Sequence, residues 1–120
     1  MSGRPELFSL ADEFESFAQE NASGRYARTL LKTPRLRVVL TYMESGIELH
    51  EHTAPGPITI QPIRGRFTVT VEDDAQVVEP ESLLAIDANV RHSVRADERG
   101  VFLLTIAWSG DAAHVTDEEG

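Results

Sequence analysis

Three of the chain's four histidines are placed where they could hold a metal ion. His50 and His52 alternate along Ile47 to His52, a stretch of strand character, so a regular strand puts both imidazoles on one face. Ile47 and Leu49 then take the other face and pack against apolar surface. Imidazoles at alternate strand positions sit about 7 Å apart at the backbone and can converge on one ion. His92 opens a later strand just beyond a turn, where strand pairing would bring it alongside the first two. Such a set suits zinc, iron(II), nickel or manganese, and residue type does not select among them. The plainer alternative is a surface pair together with a core histidine bonded to backbone. On residue types alone both readings stand.

The elements that would position these histidines follow from turn signals and alternation. The period is that of strands from Arg25 onward. Tyr26 to Lys32 and Leu36 to Met43 are predicted strands parted by Thr33-Pro34-Arg35. Glu44-Ser45-Gly46 turns the chain into the His-x-His strand, and Thr53 to Pro57 forms a loop before Ile58 to Ile63. Gly65 marks a tight turn into Phe67 to Val71, where Val and Phe alternate with Thr. Short strands follow at Gln76 to Val78, Leu83 to Ile86 and His92 to Ala96, and a long one closes the series at Val101 to Trp108. Many short strands at regular spacing indicate an all-β sandwich or barrel. Before them, Ser9 is positioned to cap a short helix on which Leu10, Phe14 and Phe17 form one apolar stripe, ended by Asn21 to Gly24. That helix is expected to lie on the main body as a lid or a brace. The predicted organisation is an N-terminal extension over 1–24, one barrel domain over 25–110 and an acidic tail over 111–120.

Composition narrows the function classes. With 120 residues there is room for one core. A net charge of −9 and no lysine- or arginine-rich stretch argue against nucleic-acid binding. The absence of cysteine excludes disulfides, zinc ribbons and thiol catalysis. No apolar run is long enough for a signal peptide or a membrane span, so a cytoplasmic protein is expected. There is no phosphate loop, nucleophile elbow or pair of carboxylates placed for acid–base work. Arg64 and Arg66 flank Gly65 as candidates for an anionic ligand or, more simply, as exposed turn residues. Tyr42, Phe67 and Trp108 are candidates for a pocket wall or for the core, and His114 lies in the acidic tail, away from any motif.

From Leu36 to Trp108 the sequence resembles the cupin superfamily. Gly46-Ile47-Glu48-Leu49-His50-Glu51-His52, running on through Ala54-Pro55-Gly56-Pro57-Ile58 to Gly65, is similar to its first motif. Ile86-Asp87-Ala88-Asn89-Val90-Arg91-His92 is similar to its second, with Asn89 where Gly is usual. Asn is the residue next most tolerant of left-handed backbone angles. The stretch also resembles small stand-alone cupins that carry Ala-Pro-Gly-Pro-Ile-Thr-Ile-Gln after the histidine motif. The resemblance implies a single-domain, RmlC-like jelly-roll β-barrel with a short N-terminal helix. It also implies that His50, His52 and His92 are metal ligands. The motif's remaining ligand, a Glu or Gln, falls at Ile58, which cannot bind a metal. Glu48 is the nearer substitute on strand parity, although a solvated charge at the barrel mouth is its plainer role. Gln61 should face the other side of its strand.

Two function classes follow. One is a small metalloenzyme, dioxygenase-, isomerase- or decarboxylase-like, that acts on an oxygen-rich small molecule. Three neutral ligands would leave its divalent transition metal open to water, carboxylate or enolate. The other is a non-catalytic barrel that binds or senses a small molecule, which the apolar Ile58 and the lack of a general acid or base favour. A homodimer is expected in either case, with the Ile47/Leu49 face and the N-terminal segment as candidate interfaces.

Overall fold

A computed structural model describes residues 5–20 and 24–108. Asn21 and the acidic tail with His114 lie outside that range. The alternating stretches form nine strands: β1 (Arg25–Lys32), β2 (Leu36–Met43), β3 (Glu48–His52), β4 (Ile58–Arg64), β5 (Phe67–Val71), β6 (Asp74–Val78), β7 (Leu84–Ile86), β8 (His92–Ala96) and β9 (Gly100–Ala107). They make two antiparallel sheets. One has the order β1-β2-β9-β4-β7 and the other β3-β8-β5-β6.

Alternation explains what each face does. In β5, Phe67 and Val69 are buried while the threonines between them are half-buried. They pack with Val94 and Ala96 of β8 and with Ile58, Ile60, Phe102 and Ile106 of the larger sheet into a core between the sheets. Phe67 meets Phe102 edge-on at 5.1 Å between ring centroids.

The larger sheet buries its outer face as well. The helix α1 (Leu10–Glu20) lays Phe14 and Phe17 on Leu40, Tyr42 and Val101, which makes a second core. Ser9 caps it, its hydroxyl accepting the Asp12 N–H at 3.3 Å, and Asp12 and Glu13 in the first turn suit the positive end of the helix dipole. Glu13 pairs with Arg28 of β1, whose guanidinium lies 4.9 Å from the Phe17 ring centroid. The helix is therefore a brace on the outer face and not a lid over the interior.

The turns required by this topology fall where the sequence placed them. Gly46 and Gly65 have φ of 87°. Asn89 has φ of 64°, and its N–H donates to the Ala54 carbonyl at 2.8 Å, which ties the turn before His92 to the loop after His52. Among the described residues no helix is long and apolar enough to cross a membrane.

Candidate functional site

Strands β3 and β8 bring His52 and His92 face to face. They pair Leu49 with Val94 and His52 with His92, with a bulge between the two pairs. The bulge changes the parity that a regular strand would have. Leu49 and His52 share the face of Val94 and His92, which points inward. Leu49 therefore does not lie opposite the histidines, as simple alternation predicts, but beside them on the cavity wall. Ile47 and Leu49 both pack, half-buried, against the inner core.

The two rings are in contact, with centroids 4.4 Å apart and planes tilted by 59°. Each has its Nδ1 against a backbone carbonyl. His52 reaches its neighbour His50 at 2.9 Å, and His92 reaches Val90 at 3.0 Å. A carbonyl only accepts, so both Nδ1 atoms carry a proton, and Nε2 is the nitrogen of each ring left to meet another partner. Burial pushes the His92 imidazole below its ordinary value; the Val90 carbonyl opposes this and the His52 ring adds to it. At neutral pH His92 is thus a neutral donor whose tautomer is set by the main chain, the arrangement that backbone support gives a metal-binding imidazole.

His50 contributes differently. Its carbonyl orients His52, and its exposed side chain lines the same cavity. The cavity has a volume of about 400 Å³. Its wall from the larger sheet is Ala27 and Thr29 of β1, Val39 and Thr41 of β2, and Phe102 and Leu104 of β9. Arg25, Leu49, His50 and His52 complete it. Among the described residues no three His, Asp or Glu side chains come together as a group arranged to hold a metal, so the structure unites His52 with His92 and leaves His50 apart on the wall. Ile58 is 3% exposed and lies in the inner core, so no carboxylate replaces it from β4. Glu48 is exposed and sits opposite Arg95, across the bulge from the inward-facing His52. Gln61 pairs with Leu103, whose side chain joins the outer core, so it faces away from the cavity as its parity predicts.

The other candidates have structural partners. Arg66 bonds Glu98 at 3.1 Å, and Arg64 lies over the Phe14 ring at 5.1 Å. Tyr42 belongs to the outer core and Phe67 to the inner one. Trp108 packs half-buried against the inner core with the Arg37 guanidinium 5.1 Å from its ring. Sequence reasoning missed the inward rows Arg25-Ala27-Thr29 of β1 and Arg37-Val39-Thr41 of β2. Their alternation was a usable signal, masked because Tyr26, Leu40 and Tyr42 make the opposite face apolar too.

No protein-family model matches the sequence, and no curated protein matches it. Solved structures do. An RmlC-like cupin from Shewanella frigidimarina is 18% identical with a TM-score of 0.70, covering 89% of this chain and 95% of its own. A cupin superfamily protein from Desulfitobacterium hafniense is 18% identical with a TM-score of 0.69, over 72% of this chain and 80% of its own. Salicylate 1,2-dioxygenase from Pseudoaminobacter salicylatoxidans, solved with gentisate, is 17% identical with a TM-score of 0.67. That match covers 80% of this chain but only 30% of the dioxygenase. At these identities the likeness is one of fold, and the fold is that of the cupins.

Proposed function

We propose that this cupin-fold protein is a small-molecule-binding metalloprotein in which His52 and His92, joined by His50, hold one divalent transition metal (zinc, iron, nickel or manganese) at the wall of the interior cavity. The observation that carries this reading is the pair of touching imidazoles, each with Nδ1 committed to a carbonyl and Nε2 left as donor. The donor set fits the group in chemistry: two imidazoles oriented by the main chain, with a third on the same wall. When bound, the metal would supply Lewis acidity toward an oxygen-rich ligand. The chain's own residues supply the rest. The Nδ1–H bonds fix ring orientation, while Leu49, Phe102 and Leu104 give the ligand an apolar wall that limits water.

Isomerase-, decarboxylase- or dioxygenase-like turnover is the enzymatic form of this proposal, and the shared fold with a dioxygenase is compatible with it. One observation favours a non-catalytic sensor instead. Apart from the histidines themselves, the wall holds Arg25, two threonines and apolar side chains, with no carboxylate, lysine or tyrosine among the described residues to move a proton.

Elemental analysis tests the metal. The purified protein should carry about one equivalent of a transition metal per chain, and a folded His52→Ala, His92→Ala variant should carry none. A parent that arrives empty and takes up none of the four metals would sink the metalloprotein reading and leave the binding barrel.

A further inference from the structure

The chain carries 20 acidic residues, yet among the described residues none lines the interior cavity, while Arg25, His50 and His52 do. In so acidic a protein, that exclusion gives the cavity a charge character of its own.

A second cation stands at the histidine end. Loop 53–57 joins His52 to Ile58, and its Gly56 packs against the backbone of Ala107, so the ends of β3 and β9 and the start of β4 meet there. The opposite end lies where Gly65 packs on Arg99 and Gly100. At the histidine end the larger sheet presents one cross-strand row. Arg37 pairs with Ile106, and Ile106 pairs with Ile58. Ile106 and Ile58 belong to the inner core, so Arg37 shares the inward face, one alternate position beyond Val39 of the cavity wall. Its guanidinium stacks on Trp108, and its Nε is buried without a hydrogen-bond partner among the described residues. A buried guanidinium N–H with no acceptor is costly, and an incoming anion would relieve it.

We infer that the interior cavity takes a carboxylate-bearing small molecule, with Arg37 as its anchor. The inference rests on the reading of this interior as a small-molecule site and adds the class of ligand. The row that carries Ile58 offers no negative charge and places a guanidinium at Arg37, so the ligand brings the anionic group itself. Arginine is the side chain best suited to meet a carboxylate, by charge and by its fork of donors. The apolar wall of Leu49, Phe102 and Leu104 receives the ligand's hydrocarbon part.

The test is calorimetric titration of the protein as purified with benzoate, hexanoate and succinate, each beside its neutral amide, and with inorganic phosphate. At least one carboxylate should bind, and its amide should not. Arg37→Gln should weaken that binding by about tenfold or more, Arg37→Lys by less, and Arg95→Gln, an exposed arginine on the outer face of β8, by no more than about threefold. Circular dichroism establishes that each variant is folded, and the lysine variant keeps the test open if glutamine is not tolerated. Binding by none of the carboxylates, equal binding of the amides or of phosphate, or loss with Arg95→Gln in place of Arg37→Gln would each overturn the inference. Metal content measured on the same samples separates this result from the metal proposal. A folded Arg37→Gln protein that keeps its metal and loses the carboxylate supports the anchor, whereas a metal-free parent that still binds carboxylate overturns the metal reading alone.

Discussion

Phe17 offers a direct test of the separation between brace and cavity. Its side chain is 0% exposed and meets Tyr26 at 5.0 Å, Tyr42 at 6.0 Å and the Arg28 guanidinium at 4.9 Å. Phe17→Ala removes the ring and leaves a hole between helix and sheet, which costs about 3–5 kcal/mol for a fully buried phenylalanine. A domain of this size has a total stability of about 5–15 kcal/mol, so the loss is a large fraction of it. At about 4 °C per kcal/mol the melting midpoint should fall by about 12–20 °C. Metal uptake and carboxylate binding, measured well below the new midpoint, should be unchanged, because Phe17 touches the outer face of the larger sheet while the histidines and Arg37 serve its inner side. Scanning calorimetry and elemental analysis on the same preparation read both quantities. A midpoint within about 3 °C of the parent would mean the helix is not docked as described. A folded variant that lost its metal would refute the separation itself.

Two further perturbations probe the frame. A Cβ on Gly56 would stand 1.5 Å from the Ala107 carbonyl oxygen, whose residue also donates to Pro57 at 3.1 Å. Gly56→Ala must therefore push the loop off β9 and should cost about 4 kcal/mol or more by urea unfolding, whereas a cost below about 1 kcal/mol would place the loop elsewhere. Burial raises the Tyr42 phenol above its ordinary value, and its hydrogen bond to Glu44 adds to the shift. As pH rises past the ordinary phenol value, the unfolded chain loses this proton before the folded one does. The stabilisation is thus present below about pH 10 and declines above it. Urea midpoints between about pH 9 and 11 should fall more steeply for the parent than for Tyr42→Phe, and parallel curves would contradict the assignment.

Much of the fold was legible because local chemistry and tertiary structure agree. The Val/Thr alternation of β5, the glycine turns at 46 and 65 and the tolerance of Asn89 for positive φ all describe what a strand or turn does by itself. That His52 and His92 meet was legible too, as was the apolar character of position 58. The bulge in β3 was not, because register is settled between two strands and nothing in Glu48 to His52 alone announces an unpaired residue. For a similar reason Arg37 was invisible as a site residue. Its importance comes from Ile106 and Trp108, far along the chain, and from a cross-strand row that only pairing defines.

The bulge also separates two tasks that one histidine motif would otherwise merge. What orients His52 is the carbonyl of residue 50, a group every amino acid carries. Exchanging the side chain at position 50 therefore leaves the neighbour's tautomer undisturbed. A change that straightens the backbone there would release His52 even with every imidazole in place. In this strand, inheritance of function depends on main-chain shape as much as on residue identity, and an intact His-x-His is not by itself a record of an intact site.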